Sequence, residues 1–173
     1  MDREGILISE RIKEVSMICA RENPIYEQVS SYGIALYVLG CFNVPDVMSI
    51  DDIDSVQAGD ILKENFTPVR ESDLPSEYKI TESDERYLLV IGDPLFPIHF
   101  AVLTHANGNR TYFSKLRYFG SGYDTIEELI HEFSGEEGIG YKDIHFFKRT
   151  ESKIKKSGKK PRIYICRKDG SVV

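Results

Sequence analysis

From Ser30 to Gly40 the sequence reads SSYGIALYVLG, and this stretch decides the fold that we expect. Ser30 and Ser31 are residue types that commonly begin a helix, because their hydroxyl oxygens accept hydrogen bonds from unpaired backbone N–H groups. Residues 34–39 are apolar around the whole circumference of a helix, which predicts a helix buried at the centre of the fold. Gly40 is suited to end this helix.

The segments on either side of this helix differ in character. The region from about 5 to 22 predicts a helix, because five apolar residues share one helical face: Ile8, Ile12, Val15, Ile18 and Cys19. Pro24 prevents that helix from continuing. Residues 42–65 are acidic and are expected to be irregular, with a turn at 57–60 that leads into a short strand at 61–62.

The second half of the chain predicts an antiparallel sheet. Continuous apolar runs indicate strands at 87–91, 98–104, 111–116, 144–147 and 162–166. Asn107-Gly108-Asn109, between the second and third of these runs, is a strong hairpin signal.

A late helix is expected to cross this sheet. Thr125 and Glu128 fit a capping box at the start of a helix over 126–133, and Gly135 is expected to follow its end. The fold class is therefore α+β, with N-terminal helices packed on an antiparallel sheet of about five strands.

The length of 173 residues predicts a single domain over 1–173. No apolar run reaches the roughly 18 residues of a membrane-spanning helix. The first residues lack the basic and then apolar pattern of a secretion signal, so we expect a cytoplasmic protein; a secreted chain with its signal removed is the alternative. Cys19, Cys41 and Cys166 lack metal-binding spacing, and we expect neither a metal nor a cofactor.

The charge is distributed unevenly along the chain. Residues 148–168 contain ten Lys or Arg and one Glu, whereas the remainder contains 12 basic and 27 acidic residues. We interpret 148–168 as a basic, solvated loop and a final strand. Nucleic acid is a less favoured partner, because few aromatic residues are available to stack on bases. An acidic protein or an anionic membrane surface stays open as a partner.

Three residues occur in the order that nucleophilic catalysis requires. Ser31 opens the central helix, where backbone N–H groups and the helix dipole stabilise an anion. His99 begins a strand and could accept a proton from the nucleophile. The third group, which orients the histidine, is expected to be Ser114, with Asn109 and Thr111 as less favoured alternatives. Cys41 is a rival nucleophile, but it follows the helix instead of opening it.

This order resembles that of papain-like cysteine hydrolases of the NlpC/P60 type. Residues 32–40 resemble the nucleophile helix of that family, and Gln57–Leu62 (QAGDIL) resembles its Pro-Gly-Asp-Leu turn. Residues 99–103 (HFAVL) resemble its His-Val-Gly-Ile-Tyr strand, and 112–115 (YFSK) the strand that supplies the third residue. The similarity covers Ser30 to Phe133. It implies a papain-like fold and cleavage of peptide or amide bonds through an acyl-enzyme.

Two departures from the family pattern affect what the resemblance implies. Ser31 stands where the family has cysteine, and Ser114 stands where the family usually has His, Asn or Gln. A serine hydroxyl is far less acidic than a thiol, so a helix end cannot keep it ionised. Three explanations stay open: a Cys-to-Ser change that traps an inactive enzyme, a natural pseudoenzyme, or a working serine nucleophile. The alternative function is a non-enzymatic module that binds a protein partner through the same groove or the basic C-terminal segment.

Overall fold

The computed structural model describes residues 3–18, 30–42, 44, 47–50, 52–107, 109–116 and 120–150. This part of the chain contains four α-helices and seven strands, so the α+β class is confirmed, but the expected count of five strands is wrong. None of its helices is long and apolar enough to cross a membrane. The strand expected at 162–166 and most of the basic segment 148–168 lie outside the described residues.

The first two helices match the apolar patterns in the sequence. Helix α1 spans Arg3–Ile18 and buries Ile8, Ile12 and Val15; the rest of the helix expected up to residue 22 lies outside the described residues. Helix α2 spans Ser31–Val38, and its apolar residues are buried on all sides as predicted. Gly40 follows it with φ +79°, a conformation that favours glycine, and its N–H donates to Tyr37. The N–H of Cys41 donates to Leu36, which completes a Schellman motif.

The region expected to be irregular contains a third helix. Helix α3 spans Ser55–Asn65, so the predicted turn at 57–60 and strand at 61–62 are wrong. Asp54 caps the helix: its carboxylate accepts from the N–H of Gln57, and the Gln57 side chain accepts from the N–H of Asp54, both at 2.9 Å. The buried residues Ala58, Ile61 and Leu62 have helical spacing. Together, these two features outweigh the local turn preference of Gly59-Asp60.

One seven-stranded sheet begins after the first three helices. Its strands are β1 (Phe66–Val69), β2 (Glu77–Lys79), β3 (Tyr87–Asp93), β4 (Phe96–Asn107), β5 (Asn109–Leu116), β6 (Gly120–Asp124) and β7 (Ile144–Arg149). The order is β1-β7-β3-β4-β5-β6, and β2 pairs with the far end of β4. All the pairings are antiparallel, and Asn107 faces Asn109 across the predicted hairpin.

Helix α4 (Ile126–Glu137) connects β6 to β7 through a short turn. The capping box of Thr125 and Glu128 is confirmed, with hydrogen bonds of 2.9 and 3.2 Å. The end expected at Gly135 is wrong. The helix continues until Gly138, whose φ of +66° provides the left-handed cap.

The start of the sheet's edge strand β1 is held by hydrogen bonds to two other parts of the chain. Phe66 follows the last residue of α3 directly, and its N–H donates to Leu62 in the helix. Asn65 also accepts hydrogen bonds from the backbone N–H and the hydroxyl of Thr150, both at 2.9 Å. The described chain therefore ends against the junction between α3 and β1.

Helices α2 and α4 cover opposite faces of the sheet beside β4. His99 and Phe100 are neighbours in β4, so their side chains point to opposite faces. The ring of Phe100 contacts Tyr32 of α2, with centroids 5.1 Å apart. The imidazole of His99 contacts Phe133 of α4, with centroids 4.8 Å apart.

Candidate functional site

Ser31 contacts strand β4 where that strand separates from β5. The helix cap is Ser30, whose Oγ accepts from the N–H of Gly33 at 3.0 Å, and Ser31 is the first helical residue. The register of β4 with β5 ends at Val102, so Phe100 lies beyond the paired part. The N–H of Phe100 donates instead to Oγ of Ser31 at 3.3 Å. Oγ of Ser31 therefore accepts the hydrogen bond from the Phe100 N–H in place of a carbonyl of a neighbouring strand.

His99 and Ser114 form a buried pair on adjacent strands. Nε2 of His99 and Oγ of Ser114 are hydrogen-bonded at 2.9 Å. His99 is 2% exposed and Ser114 is completely buried. The structure thus brings together the histidine and the third group that the sequence suggests, in a site closed to solvent.

The imidazole of His99 is neutral at physiological pH. Burial lowers its pKa from 6.5 to about 3, and the cation of the neighbouring Lys115, itself buried, acts in the same direction. A general base works best when its pKa lies near the operating pH. His99 is therefore a weak proton acceptor in this environment.

The three predicted site residues meet at β4 in two separate interactions. Ser31 bonds to the backbone of β4, whereas the His99 side chain bonds to Ser114 on the face that α4 covers. Because Phe100, and not His99, turns its side chain toward Tyr32, the imidazole faces away from that part of α2.

The alternative site residues lie elsewhere. Asn109 faces Asn107 at the hairpin, and Thr111 faces His105. Cys41 lies beyond the end of α2, where it is partly buried against the core. In the part of the chain that the structure describes, no group of three or more His, Cys, Asp or Glu side chains could hold a metal ion.

Gly59 has a packing role that the resemblance to a Gly-Asp turn does not predict. It lies within α3, and a Cβ atom at this position would be 2.4 Å from the carbonyl oxygen of Leu95. Only glycine therefore allows α3 to approach the β3–β4 turn so closely.

A groove lined mainly by apolar side chains lies beside this contact. Its volume is about 720 Å³. It lies between α3, β1, the β3–β4 turn and the start of β7, and its apolar lining consists of Gly59, Leu62, Phe66, Pro68, Val69, Pro94, Leu95, Tyr141, Ile144, Phe146 and Phe147. Ser31, His99 and Ser114 do not line it. Its residues come from three distant segments, so no local sequence signal identifies it.

The groove also has charged residues at its rim. The lining includes two cations, Lys63 and Arg70, and one imidazole, that of His145. Glu71 is the one carboxylate among the lining residues. Glu71 accepts from Tyr141 at 2.9 Å and pairs with Arg110 at 3.4 Å. The negative charge of Glu71 is therefore already compensated.

Comparisons of this chain with protein-family models, with curated proteins and with solved structures find no match in any of the three.

Proposed function

We propose that this chain is a binding module with a papain-like fold of the NlpC/P60 type, and that it does not hydrolyse amide bonds as it stands. The observation that carries the proposal is the groove of about 720 Å³ between α3, β1 and β7. Ligand sites are typically concave, mostly apolar and about 300–1,000 Å³ in volume. The groove has this character, whereas the Ser31–His99–Ser114 region is closed around its histidine.

The environment of His99 supports the absence of hydrolysis. A serine nucleophile needs a base that removes its proton during attack. His99 is buried, bonded to Ser114 and held neutral by a pKa of about 3, and its ring packs on Phe133. The hydroxyl of Ser31 meanwhile accepts the N–H of Phe100. In the proposed binding module, Ser31, His99 and Ser114 therefore stabilise the packing around β4 and do not catalyse a reaction.

A hydrolase is the second candidate, and one observation favours it. Ser31 lies at the start of α2 within hydrogen-bond distance of the residue after His99, and His99 is bonded to Ser114. This is the chain order of nucleophile, histidine and orienting group in the family that the sequence resembles. A cysteine at position 31 would attack the amide carbonyl as a thiolate, and helix-end N–H groups would hold the oxyanion of the tetrahedral intermediate. The C–N bond would then break, the amine would leave with a proton from His99, and a thioester would remain.

Binding of a neutral apolar dye tests the proposed module. We expect Nile red to bind the wild-type protein with a fluorescence increase, and Leu95→Gln to weaken that binding severalfold. Leu95 is 59% exposed and lines the groove, so its replacement changes the site without opening the core. Met17→Gln is the matched control, because Met17 is 75% exposed on α1 and does not line the groove. Equal dye binding by Leu95→Gln and the wild type would contradict the proposal.

Ser31→Cys distinguishes the module from the hydrolase. We expect no burst of p-nitrophenol from p-nitrophenyl acetate with the wild type. With Ser31→Cys we expect p-nitrophenol release no faster than that caused by an equal concentration of a free thiol. A burst in Ser31→Cys that disappears in Ser31→Cys combined with His99→Gln would establish the hydrolase and overturn the binding-only proposal. Circular dichroism of each variant shows that the comparison is made between folded proteins.

A further inference from the structure

We propose that the groove between α3, β1 and β7 binds a small amphipathic anion, namely a long-chain carboxylate, with its apolar chain on the groove floor and its head group at Lys63. This inference rests on the proposed binding function and adds the chemical class of the ligand. Three observations carry it: the apolar floor, the charge of the rim and the edge of β1.

The floor of the groove suits an apolar chain. Leu62, Phe66 and Phe146 provide buried walls from α3, β1 and β7, and Leu95 and Tyr141 extend them toward solvent. Apolar area removed from water contributes about 25 cal/mol per Å² to binding. Each methylene of a ligand that enters this groove therefore adds to affinity, which predicts a dependence on chain length.

The rim of the groove favours a negative head group. Lys63 is exposed in the last turn of α3 and makes no hydrogen bond or ion pair within the described residues. Arg70 pairs with Asp73 at 3.3 Å, so its charge is compensated as well. Glu71 is compensated by Arg110 and Tyr141. Among the lysine, arginine and glutamate residues of the lining, Lys63 is therefore the one whose charge has no partner within the described residues, on a chain whose formal net charge is −6.

The edge of β1 argues against a peptide as the occupant. An added strand is held by main-chain hydrogen bonds along a free sheet edge. Pro68 has no N–H, and the N–H of Phe66 is bonded to Leu62. Two of the four residues of β1 therefore have no N–H that could bond to an added peptide strand. A ligand in the groove is instead held by the apolar floor and by the charge at the rim.

Competition with Nile red tests the head group and the chain separately. Dodecanoate, dodecanol, dodecyltrimethylammonium and hexanoate are each added below their micelle concentrations to the dye complex of the full chain. We expect dodecanoate to displace the dye at a concentration about fivefold lower than dodecyltrimethylammonium does, and hexanoate to displace it poorly. Equal displacement by dodecanoate, dodecanol and the ammonium would overturn the carboxylate assignment while leaving the groove as a binding site.

Two lysine variants locate the head group. Lys63→Glu is expected to weaken dodecanoate binding about fivefold and to leave dodecanol unchanged. Lys13→Glu is the matched control, because Lys13 is an exposed lysine on α1 that does not line the groove. An equal loss in both variants would assign the effect to overall charge and overturn the site.

Other occupants have distinct signatures in the same assay. An acidic peptide of alternating Glu and Leu that displaces the dye more tightly than dodecanoate would overturn the inference in favour of a protein segment. Loss of dye binding with rising protein concentration, together with sedimentation as a dimer that Leu95→Gln abolishes, would assign the groove to a second copy of the chain. Absence of Nile red binding to the wild type would instead contradict the proposed function itself.

Discussion

The buried His99 makes a quantitative prediction about how stability depends on pH. Its pKa in the folded protein is about 3, because burial disfavours the charged imidazole, whereas the unfolded chain has the ordinary value of 6.5. Below pH 6.5 the unfolded state therefore takes up a proton that the folded state does not. The free energy of unfolding falls as the pH is lowered from 6.5 toward 3, by about 1.4 kcal/mol per pH unit at most.

The experiment compares the wild type with His99→Gln, which removes the titrating group and keeps an amide that can bond to Ser114. Urea unfolding of both proteins is measured at pH 7.5 and pH 4.5. We expect the wild type to lose about 2–3 kcal/mol more than the variant over this interval, because its folded imidazole resists protonation. Exposed histidines and carboxylates contribute equally to both proteins and cancel in the difference.

Parallel pH profiles for the two proteins would refute the reasoning, because they would mean that His99 is protonated as easily in the folded state as in the unfolded chain. NMR titration of the His99 ring provides an independent measurement on the wild type alone. We expect its ring resonances to stay those of a neutral imidazole from pH 7.5 to pH 4.5. A midpoint near 6.5 would contradict the closed environment of the His99–Ser114 pair.

Three substitutions test other contacts, each by urea unfolding. Ser114→Ala removes the partner of a buried imidazole nitrogen and is expected to lower the free energy of unfolding by about 1–3 kcal/mol. The control Ser76→Ala, at an exposed serine, should change it by less than about 0.5 kcal/mol. Equal effects of the two substitutions would contradict the buried hydrogen bond. Ser31→Ala leaves the N–H of Phe100 without its acceptor and should cost about 1 kcal/mol, with faster hydrogen exchange at that amide; unchanged exchange would argue against the contact. Gly59→Ala places a Cβ against the Leu95 carbonyl and should cost about 1–3 kcal/mol, while Asp60→Ala on the exposed side of α3 serves as its control; a neutral Gly59→Ala would refute the close approach.

Local signals predicted the elements that carry them. The apolar run and glycine of α2, the Asn-Gly hairpin and the capping box of α4 each depend on a few adjacent residues, and each is present in the structure. Helix α3 also begins with a capping box, of Asp54 and Gln57, whereas Gly59-Asp60 within it is typical of a turn and led to the wrong prediction.

The strands that the sequence did not predict are short or interrupted. Strand β1 contains Pro68, β2 has three residues, and β6 includes Gly120 and Gly122. Such segments become strands because longer neighbouring strands pair with them. The β propensity of a segment's own residues does not include this contribution. The pairing of β1 with β7, across more than 70 residues of sequence, is an example.

The site was predictable only in part. Alternation along β4 places His99 on one face of the strand, and the hydrolase prediction requires the start of α2 on that face. The contacts of Tyr32 with Phe100 and of Phe133 with His99 place α4 on the His99 face. The groove was not predictable, since its walls come from α3 with β1, from the β3–β4 turn and from β7. The cytoplasmic location, the papain-like assignment and the single-domain boundaries stay predictions.

The anchoring of Thr150 to Asn65 has a consequence for encounter with ligands. Asn65 is two residues after Lys63, so Thr150 lies near the end of α3 that carries this rim lysine. The sequence after residue 150 is rich in lysine and arginine. We expect this positive charge to attract anions and to speed their capture at the proposed site, an effect that added salt screens.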